Sequence, residues 1–459
     1  MLKNLKIHIV IFSCAVALLA SCSPAKHCAE PDLALPSTFF AEEHADTTTL
    51  ADIQWWNLYS DTLLQNLIMQ TLERNKDMQI AYQRVEELRQ LHRIAKAGMF
   101  PSISAQTGGD HEWTWKDGGS VKSDPEPMLK ADISWEVDLW GVFRWSNRKA
   151  AAEYLASIES QRAMQMTLIA EVAKSYFELI ALDNQLRIVN RTLITREEGV
   201  SQARLRFEGG LTSETSYQQA KVELATTASE IPGLRRKIAL KESQISLLAG
   251  SYPDSVKRSS VAEISMDYEQ VPYGIPSGLL KRRPDIRRAE QNLMAAQAAV
   301  GVAQAARFPT FTINLSGGFE NDDFKAFFQN PILYAAGKLV APLFSFGKKQ
   351  AKFKASISAY NQSALEYEKT VMEAFKEVND AVITYRSAKE NTVLKKNLMD
   401  ATKKYVDLAR LQYINGVITY LDVLDAQRKF FSAQVEMSTA ICNEYLAIVD
   451  LYKVLGGGW

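Results

Sequence analysis

From Lys348 to Asn415 the chain contains neither glycine nor proline, and after Gly416 a second such run extends from Val417 to Leu455. Few features narrow a fold more. Without either helix breaker, about 65 residues at 1.5 Å each predict a helix on the order of 100 Å long. The interval between Gly141 and Gly199 has the same character, with Ile169, Val172, Tyr176, Leu179, Leu182, Leu186, Val189 and Leu193 recurring at three- and four-residue steps. Such lengths exceed those of ordinary globular helices and indicate a coiled coil or helical barrel, with a compact bundle of shorter helices as the alternative. Pro232-Gly233 is expected to interrupt the corresponding helix in the first half. Only 22 glycines and 14 prolines in 459 residues weigh against an all-β chain rich in turns. Lys plus Arg and Asp plus Glu balance at 53 each, so there is no basic excess for gripping nucleic acid.

The chain is also written twice. Ala203-Arg204-Leu205-Arg206-Phe207-Glu208-Gly209-Gly210 aligns with Ala409-Arg410-Leu411-Gln412-Tyr413-Ile414-Asn415-Gly416, about 206 residues later, and the same offset pairs Ala220 with Ala426 and Gly250 with Gly456. Ala97–Ile103 answers Ala305–Phe311, and Leu139-Trp140-Gly141 answers Ser345-Phe346-Gly347. A tandem duplication follows. The divisions expected are a signal at 1–21, an extended segment at 22–50, a first repeat at 51–252, a linker at 253–276 and a second repeat at 277–459. Each repeat reads helix, two strands, long helix, turn, long helix.

The strands carry a period of two. Leu129, Ala131, Ile133, Trp135, Val137 and Leu139 alternate with Lys130, Asp132, Ser134, Glu136 and Asp138; Phe311, Ile313, Leu315 and Phe319 alternate with Thr312, Asn314, Ser316 and Glu320. One apolar and one charged face suits a lipid-facing barrel strand with a wet interior, and also an ordinary half-buried sheet. Trp113, Trp115, Trp135 and Trp140 gather near the strand ends, where an aromatic girdle would sit, and favour the barrel. Strands are expected near Pro101–Lys116, Met128–Gly141, Pro309–Glu320 and Ile332–Phe346, with external loops around Gly118–Pro127 and Asn321–Asn330. Four strands cannot close in lipid, because open sheet edges are not tolerated there and at least eight are needed. Three copies would supply twelve.

At the N-terminus, Lys3 and Lys6 precede an apolar run from Ile7 to Ala20, the layout of a secretory signal. It ends in Leu19-Ala20-Ser21-Cys22, which resembles the lipobox of bacterial lipoproteins and implies cleavage before Cys22 and acylation of that residue. Cys14 would leave with the signal. Cys28 and Cys442 are read as incidental, and the four cysteines form no CxxC pair.

Arg282-Arg283-Pro284-Asp285-Ile286-Arg287, continuing to Ala305-Ala306-Arg307-Phe308-Pro309-Thr310, resembles a signature of TolC/OprM-type outer-membrane efflux proteins. Trp135-Glu136-Val137-Asp138-Leu139-Trp140-Gly141 and the two Leu-x-(Phe/Tyr)-x-x-Gly turns resemble it as well, over roughly Trp55 to Gly456. With the lipobox, the similarity is greatest to the lipidated OprM/NodT-like branch serving resistance-nodulation-division pumps. The fold class implied is an α+β membrane protein. A tandem repeat gives four β-strands per chain, a 12-stranded barrel as a homotrimer, and a long α-helical coiled-coil tunnel through the periplasm. The partners implied are a periplasmic adaptor, an inner-membrane resistance-nodulation-division pump and outer-membrane lipid. The function implied is passive conduction of drugs or other small molecules to the exterior. A lipid-anchored periplasmic adaptor or scaffold without a pore is the competing reading, but it would not need amphipathic strands twice over.

The resemblance also implies site residues. The tips at Gly209-Gly210 and Asn415-Gly416, flanked by Leu205, Phe207, Leu211, Leu411, Tyr413 and Val417, would meet the adaptor. Asp422 and Asp425, three apart on one helical face, match by their distance from the tip glycine the aspartates that ring the closed entrance, with Tyr413 beside them. Ser216 and Ile418 depart from the family's best-known pattern, in which an Asp and an Arg tie the closed state, so closure here is expected to rest on packing and on the aspartates. A plainer role for Asp422 and Asp425 is to favour a helix N-terminus. For Arg282–Arg288 the expectation is structural, Pro284 opening a helix with Asp285 behind it. No metal spacing among His8, His27, His44, His92 and His111, no GxxxxGK[ST] and no GxSxG give an enzyme or cofactor reading nothing to stand on.

Overall fold

The computed structural model describes residues 49–115, 121–260, 276–320, 324–329 and 331–459. The signal, Cys22, most of the extended segment, the core of the linker, the start of the first expected external loop and the two ends of the second lie outside the described residues.

The duplication is visible element by element. In the first half, α1 (Trp55–Leu58) leads to α2 (Thr62–Arg74), α3 (Lys76–Ala97), β1 (Ser102–Trp115), β2 (Val121–Val137), α4 (Val142–Glu208) and α5 (Glu214–Leu248). In the second, α6 (Pro276–Arg282) leads to α7 (Pro284–Ala305), β3 (Thr310–Glu320), β4 (Pro331–Val340), α8 (Lys348–Ile414) and α9 (Tyr420–Val454). α4 and α8 have 67 residues each, and α5 and α9 have 35 each. A bundle of short helices is therefore excluded. The expected break at Pro232 is absent, since α5 runs through it. One proline removes a single i→i−4 bond, and the 35-residue helix keeps the rest.

The backbone turns at equivalent glycines. Gly141 and Gly347, which precede the two long helices, have φ of 86° and 76°. Asp138, from the Trp-Glu-Val-Asp-Leu-Trp-Gly motif, accepts from the backbone N–H of Phe143 at 3.2 Å and Arg144 at 2.9 Å, satisfying donors that the start of α4 would otherwise leave open. Phe346 takes φ 46° beside Gly347, a left-handed turn where the copy at Trp140 does not.

The chain divides into two compact units. The first, 84–158 with 288–368, holds an antiparallel sheet of order β1-β2-β3-β4. Its register puts Ile133 between Ile103 and Leu315, and Asp132 between Ser104 and Ser316, so one face is apolar and the other polar. On the polar face Ser134 Oγ donates to Asn314 Oδ1 at 2.8 Å, and Lys130 pairs with Glu320 at 2.7 Å. Among the described residues no strand lies beside the outer edges of β1 and β4. Leu293, Val300 and Tyr360 form a buried cluster with Phe353 and Ile357 packed on it.

Three expected strand boundaries move, the end of β2 falling at Val137 and not Gly141, where the chain turns into α4. β2 begins at Val121, not Met128, although it then contains Pro125 and Pro127. From Val121 to Pro127 it pairs with β1 alone, because pairing with β3 starts at Met128. A proline without an N–H is tolerated along such an open edge. The first external loop is correspondingly shorter than Gly118–Pro127. β4 ends at Val340, not Phe346, because its partner ends at Thr310 and Pro342 cannot extend the ladder.

The second unit, 33–83 with 159–287 and 369–459, is helical where described. Leu179, Ile238 and Ile245 form one buried cluster, and Tyr176 donates to Asp61 Oδ2 at 2.6 Å. Pro284 stands at the first position of α7, as expected, and Arg283 before it is nearly buried and paired with Asp285 and Glu377. Cys442 is buried, its thiol pushed up to about 11 by that burial, which keeps it inert. Among the described residues no helix is long and apolar enough to cross a membrane.

Candidate functional site

Both hairpins turn by the same device. At the end of α4, Gly210 has φ 72°, Leu211 N–H donates to Arg206 O at 2.8 Å, and Gly210 N–H donates to Phe207 O at 2.9 Å. At the end of α8, Gly416 has φ 74°, with Val417 N–H on Gln412 O at 2.9 Å and Gly416 N–H on Tyr413 O at 3.0 Å. This is the Schellman pattern, which needs a residue free to adopt the left-handed region. Gly209 and Asn415 occupy the preceding position, and Asn415 Nδ2 adds a bond to Leu411 O at 2.9 Å.

The side chains flanking the turns are large, apolar and uncovered. Leu211 and Val417 are 72% and 70% exposed, Leu205 and Leu411 66% and 58%. Phe207 is more sheltered, its ring stacked 6.3 Å from Tyr217. Tyr413 lies 5.4 Å from the ring of Tyr420 and beneath the Arg206 guanidinium at 4.7 Å. The aromatic pair braces the second hairpin internally, and the cation–π contact of Arg206 on Tyr413 joins the two hairpins, geometry that no local pattern announces.

Asp422 and Asp425 share one face of α9, as their spacing requires, and both carboxylates are engaged. Thr419, the N-cap of α9, donates to Asp422 Oδ2 from its hydroxyl at 2.6 Å and from its backbone N–H at 2.9 Å, a capping box. Those hydrogen bonds hold the Asp422 carboxyl below its ordinary range. Asp425 pairs with Lys429 at 2.8 Å, with Arg428 at 3.9 Å. Helix-end chemistry is thus present at Asp422; its carboxylate remains exposed to solvent and ionised.

The sequence reading missed a buried group nearby. Arg196 on α4, with 4% of its side chain exposed, places Nη1 3.0 Å from Glu223 of α5, and Glu223 lies 3.7 Å from Arg428 of α9. Burial lowers the pKa of Arg196 while Glu223 opposes that shift. Residues 196, 223 and 428 are brought together only by the folded hairpins. Among the described residues no cluster of His, Cys, Asp and Glu could hold a metal ion.

A two-faced sheet with open edges, duplicated 67-residue helices and paired hairpin tips define the class: an α+β membrane channel protein in which each chain supplies four barrel strands and the helices of a tunnel. The family described as outer membrane efflux protein matches residues 67–251 and 275–457, and the chain belongs to it. It is an efflux duct and not an enzyme. The chain is 32% identical over 407 residues to the solvent efflux pump outer membrane protein SrpC of Pseudomonas putida, covering 87% of this chain and 86% of that one. It is 27% identical over 451 residues to the cation efflux system protein CusC of Escherichia coli strain CFT073, covering 97% and 98%. The solved structure of the outer-membrane channel OprN superposes with a TM-score of 0.88 at 26% identity, over 95% of this chain and all of the other.

Proposed function

We propose that three copies of this chain form the exit duct of a tripartite efflux pump, passing small molecules from an inner-membrane pump and periplasmic adaptor to the exterior. The observation that carries the trimer is the sheet. Four strands with two unpaired edges cannot stand in hydrocarbon, and three such sheets edge to edge give a closed barrel of twelve. The apolar face would meet lipid, and the Lys130–Asp132–Ser134 face the water-filled lumen. The exposed leucines and valine at the Gly210 and Gly416 turns are the surface offered to the adaptor. Asp422 and Asp425, repeated threefold, would form a negative constriction favouring cations, with Tyr413 packed beside it. Cys22 would carry the lipid anchor. The names of the relatives span solvent and cation efflux, which suits a duct that selects little and leaves the choice of cargo to the pump.

The test joins assembly to conduction. Outer-membrane fractions should yield a heat-modifiable band of trimer size, the purified protein should conduct in planar bilayers, and deletion should sensitise cells to compounds exported by the neighbouring pump. A monomer without conductance would overturn the proposal.

A further inference from the structure

Two adjoining cavities lie between the hairpins where α4 faces α8 and α9, and their chemistry is one-sided. The first, about 230 Å³, is lined in part by Arg191, Arg196 and Arg410; the second, about 410 Å³, by Arg206 and again Arg410. Thr195 and Gln427 border both. Four arginines thus line the two cavities, and no carboxylate lines either.

Buried cationic groups need partners, and those of Arg196 and Arg206 are short of them, while Arg191 and Arg410 reach the cavities from exposed positions. Nε and Nη1 of Arg196 are buried without a hydrogen-bond acceptor, although Nη1 stands 3.0 Å from Glu223. Glu223 is also shared with Arg428. Nε of Arg206 is likewise buried without an acceptor, its guanidinium carbon 4.7 Å from the centre of the Tyr413 ring. Among the described residues no ion pair engages Arg191, Arg206 or Arg410. Desolvation of Arg196 outweighs what Glu223 returns to it, as expected of a cation that is incompletely compensated.

We infer that these cavities form an oxyanion-binding site, which takes a phosphate or carboxylate group and bridges the two hairpins of one protomer. A planar guanidinium presents paired N–H donors that match two oxygens of such a group, a fit that chloride cannot reproduce. Gln427 adds a neutral amide donor at the rim. The smaller cavity suits an inorganic ion. The larger, walled by Tyr413, Tyr420 and Leu205, has room for a ring attached to a carboxylate. Because the arginines come from α4 and α8, a bound anion ties one hairpin to the other.

The test titrates the purified full-length protein in detergent with sodium phosphate and, separately, with sodium benzoate, at ionic strength held constant by chloride. Saturable binding of one anion per protomer is expected, accompanied by a rise in thermal stability, since a ligand of the folded state raises it by mass action. Phosphate alone binding identifies a site for a free inorganic ion; benzoate binding as well identifies a site for the acidic group of a larger compound. Arg410→Gln and Arg191→Gln sit at exposed positions outside the buried ion pair, so they test binding without threatening the fold. Each should weaken binding about tenfold or more, the effect of losing a charge-assisted hydrogen-bonding partner. Binding no tighter than chloride, or unchanged affinity in Arg410→Gln, would overturn the inference. So would an assembled structure with a neighbouring protomer's carboxylate seated on Arg410. The readout is binding, so it stands apart from whether the protein conducts.

Discussion

Replacing Arg283 with alanine probes how the start of α7 is held to the rest of its unit. The side chain is 8% exposed and makes four contacts: Nε to Asp285 Oδ1 at 3.0 Å, Nη2 to Asp285 Oδ2 at 2.6 Å, Nη2 to Glu377 Oε2 at 2.5 Å, and Nη1 to the Val454 carbonyl at 3.0 Å. Breaking a buried ion pair by removing one member costs about 3–5 kcal/mol. Here Glu377 is 50% exposed and regains water, so its share approaches the near-zero contribution of a surface pair. Asp285 keeps its bond to the Ile286 N–H at 2.9 Å and remains useful at the helix start. What is lost outright is the fork on Asp285 and the bond to the part-buried Val454 carbonyl, where a fully buried orphaned acceptor would cost about 1–3 kcal/mol. The expected cost is therefore at the lower end, about 3 kcal/mol. For a cooperative unit of this size that lowers the melting temperature by on the order of 10 °C. Circular dichroism melts of the purified protein, together with dissociation of its assembled form on heated gels, measure it. Arg283→Lys should recover less than half of the loss, because an ammonium cannot span both Asp285 oxygens and reach Val454, and Glu377→Ala should cost under about 1 kcal/mol. An Arg283→Ala protein melting within a degree of the wild type would refute the reasoning, and full rescue by lysine would refute its geometric part.

Gly301 lies inside α7, where alanine would ordinarily favour the helix by about 1 kcal/mol. A Cβ there would stand 2.3 Å from the Trp145 ring, so Gly301→Ala should instead destabilise by about 1–3 kcal/mol and be partly rescued by Trp145→Leu, a reversal that a double-mutant melt would detect. Gly318→Ala would bring a Cβ within 2.0 Å of the Leu129 carbonyl oxygen on the neighbouring strand, where backbone cannot yield. It should lower the yield of assembled protein in outer-membrane fractions, and normal assembly would count against the β2–β3 register. The Asp422 carboxyl is held below its usual range by Thr419, so its charge persists down to that lowered value, while any stability from the cap is complete only above the ordinary carboxylate range and is lost as pH falls from there through the lowered value. Thr419→Ala should raise the pH at which cation selectivity in planar bilayers declines, and Asp422→Ala with Asp425→Ala should weaken that selectivity at neutral pH; unchanged profiles in both would remove these residues from the constriction.

Much of this protein was legible in its sequence because the signals are local. A run of 67 residues without a glycine or proline turn signal is far too long for a strand, so a helix over Lys348–Ile414 is legible from the local sequence. The turns at Gly210 and Gly416 need positive φ within a few residues, and glycine is the residue that supplies it. Strand alternation assigned Ile133 and Asp132 to opposite faces because the period of two is a property of one strand. Duplication doubled each of these signals, and the resemblance carried by Arg282–Arg287 and Trp135–Gly141 led to the family. Other features depended on chain neighbours distant in sequence. Pro125 and Pro127 are strand residues only because β3 stops short of them, and β4 ends early because its partner does. Pro232 is tolerated by a helix long enough to absorb it. The tie of Arg196 to Glu223 and Arg428, and the set of arginines around Arg410, join positions that lie in places more than two hundred residues apart. No periodicity records such pairings, because charge and hydrogen-bond partners are chosen by proximity in space, and proximity exists only after the hairpins have packed.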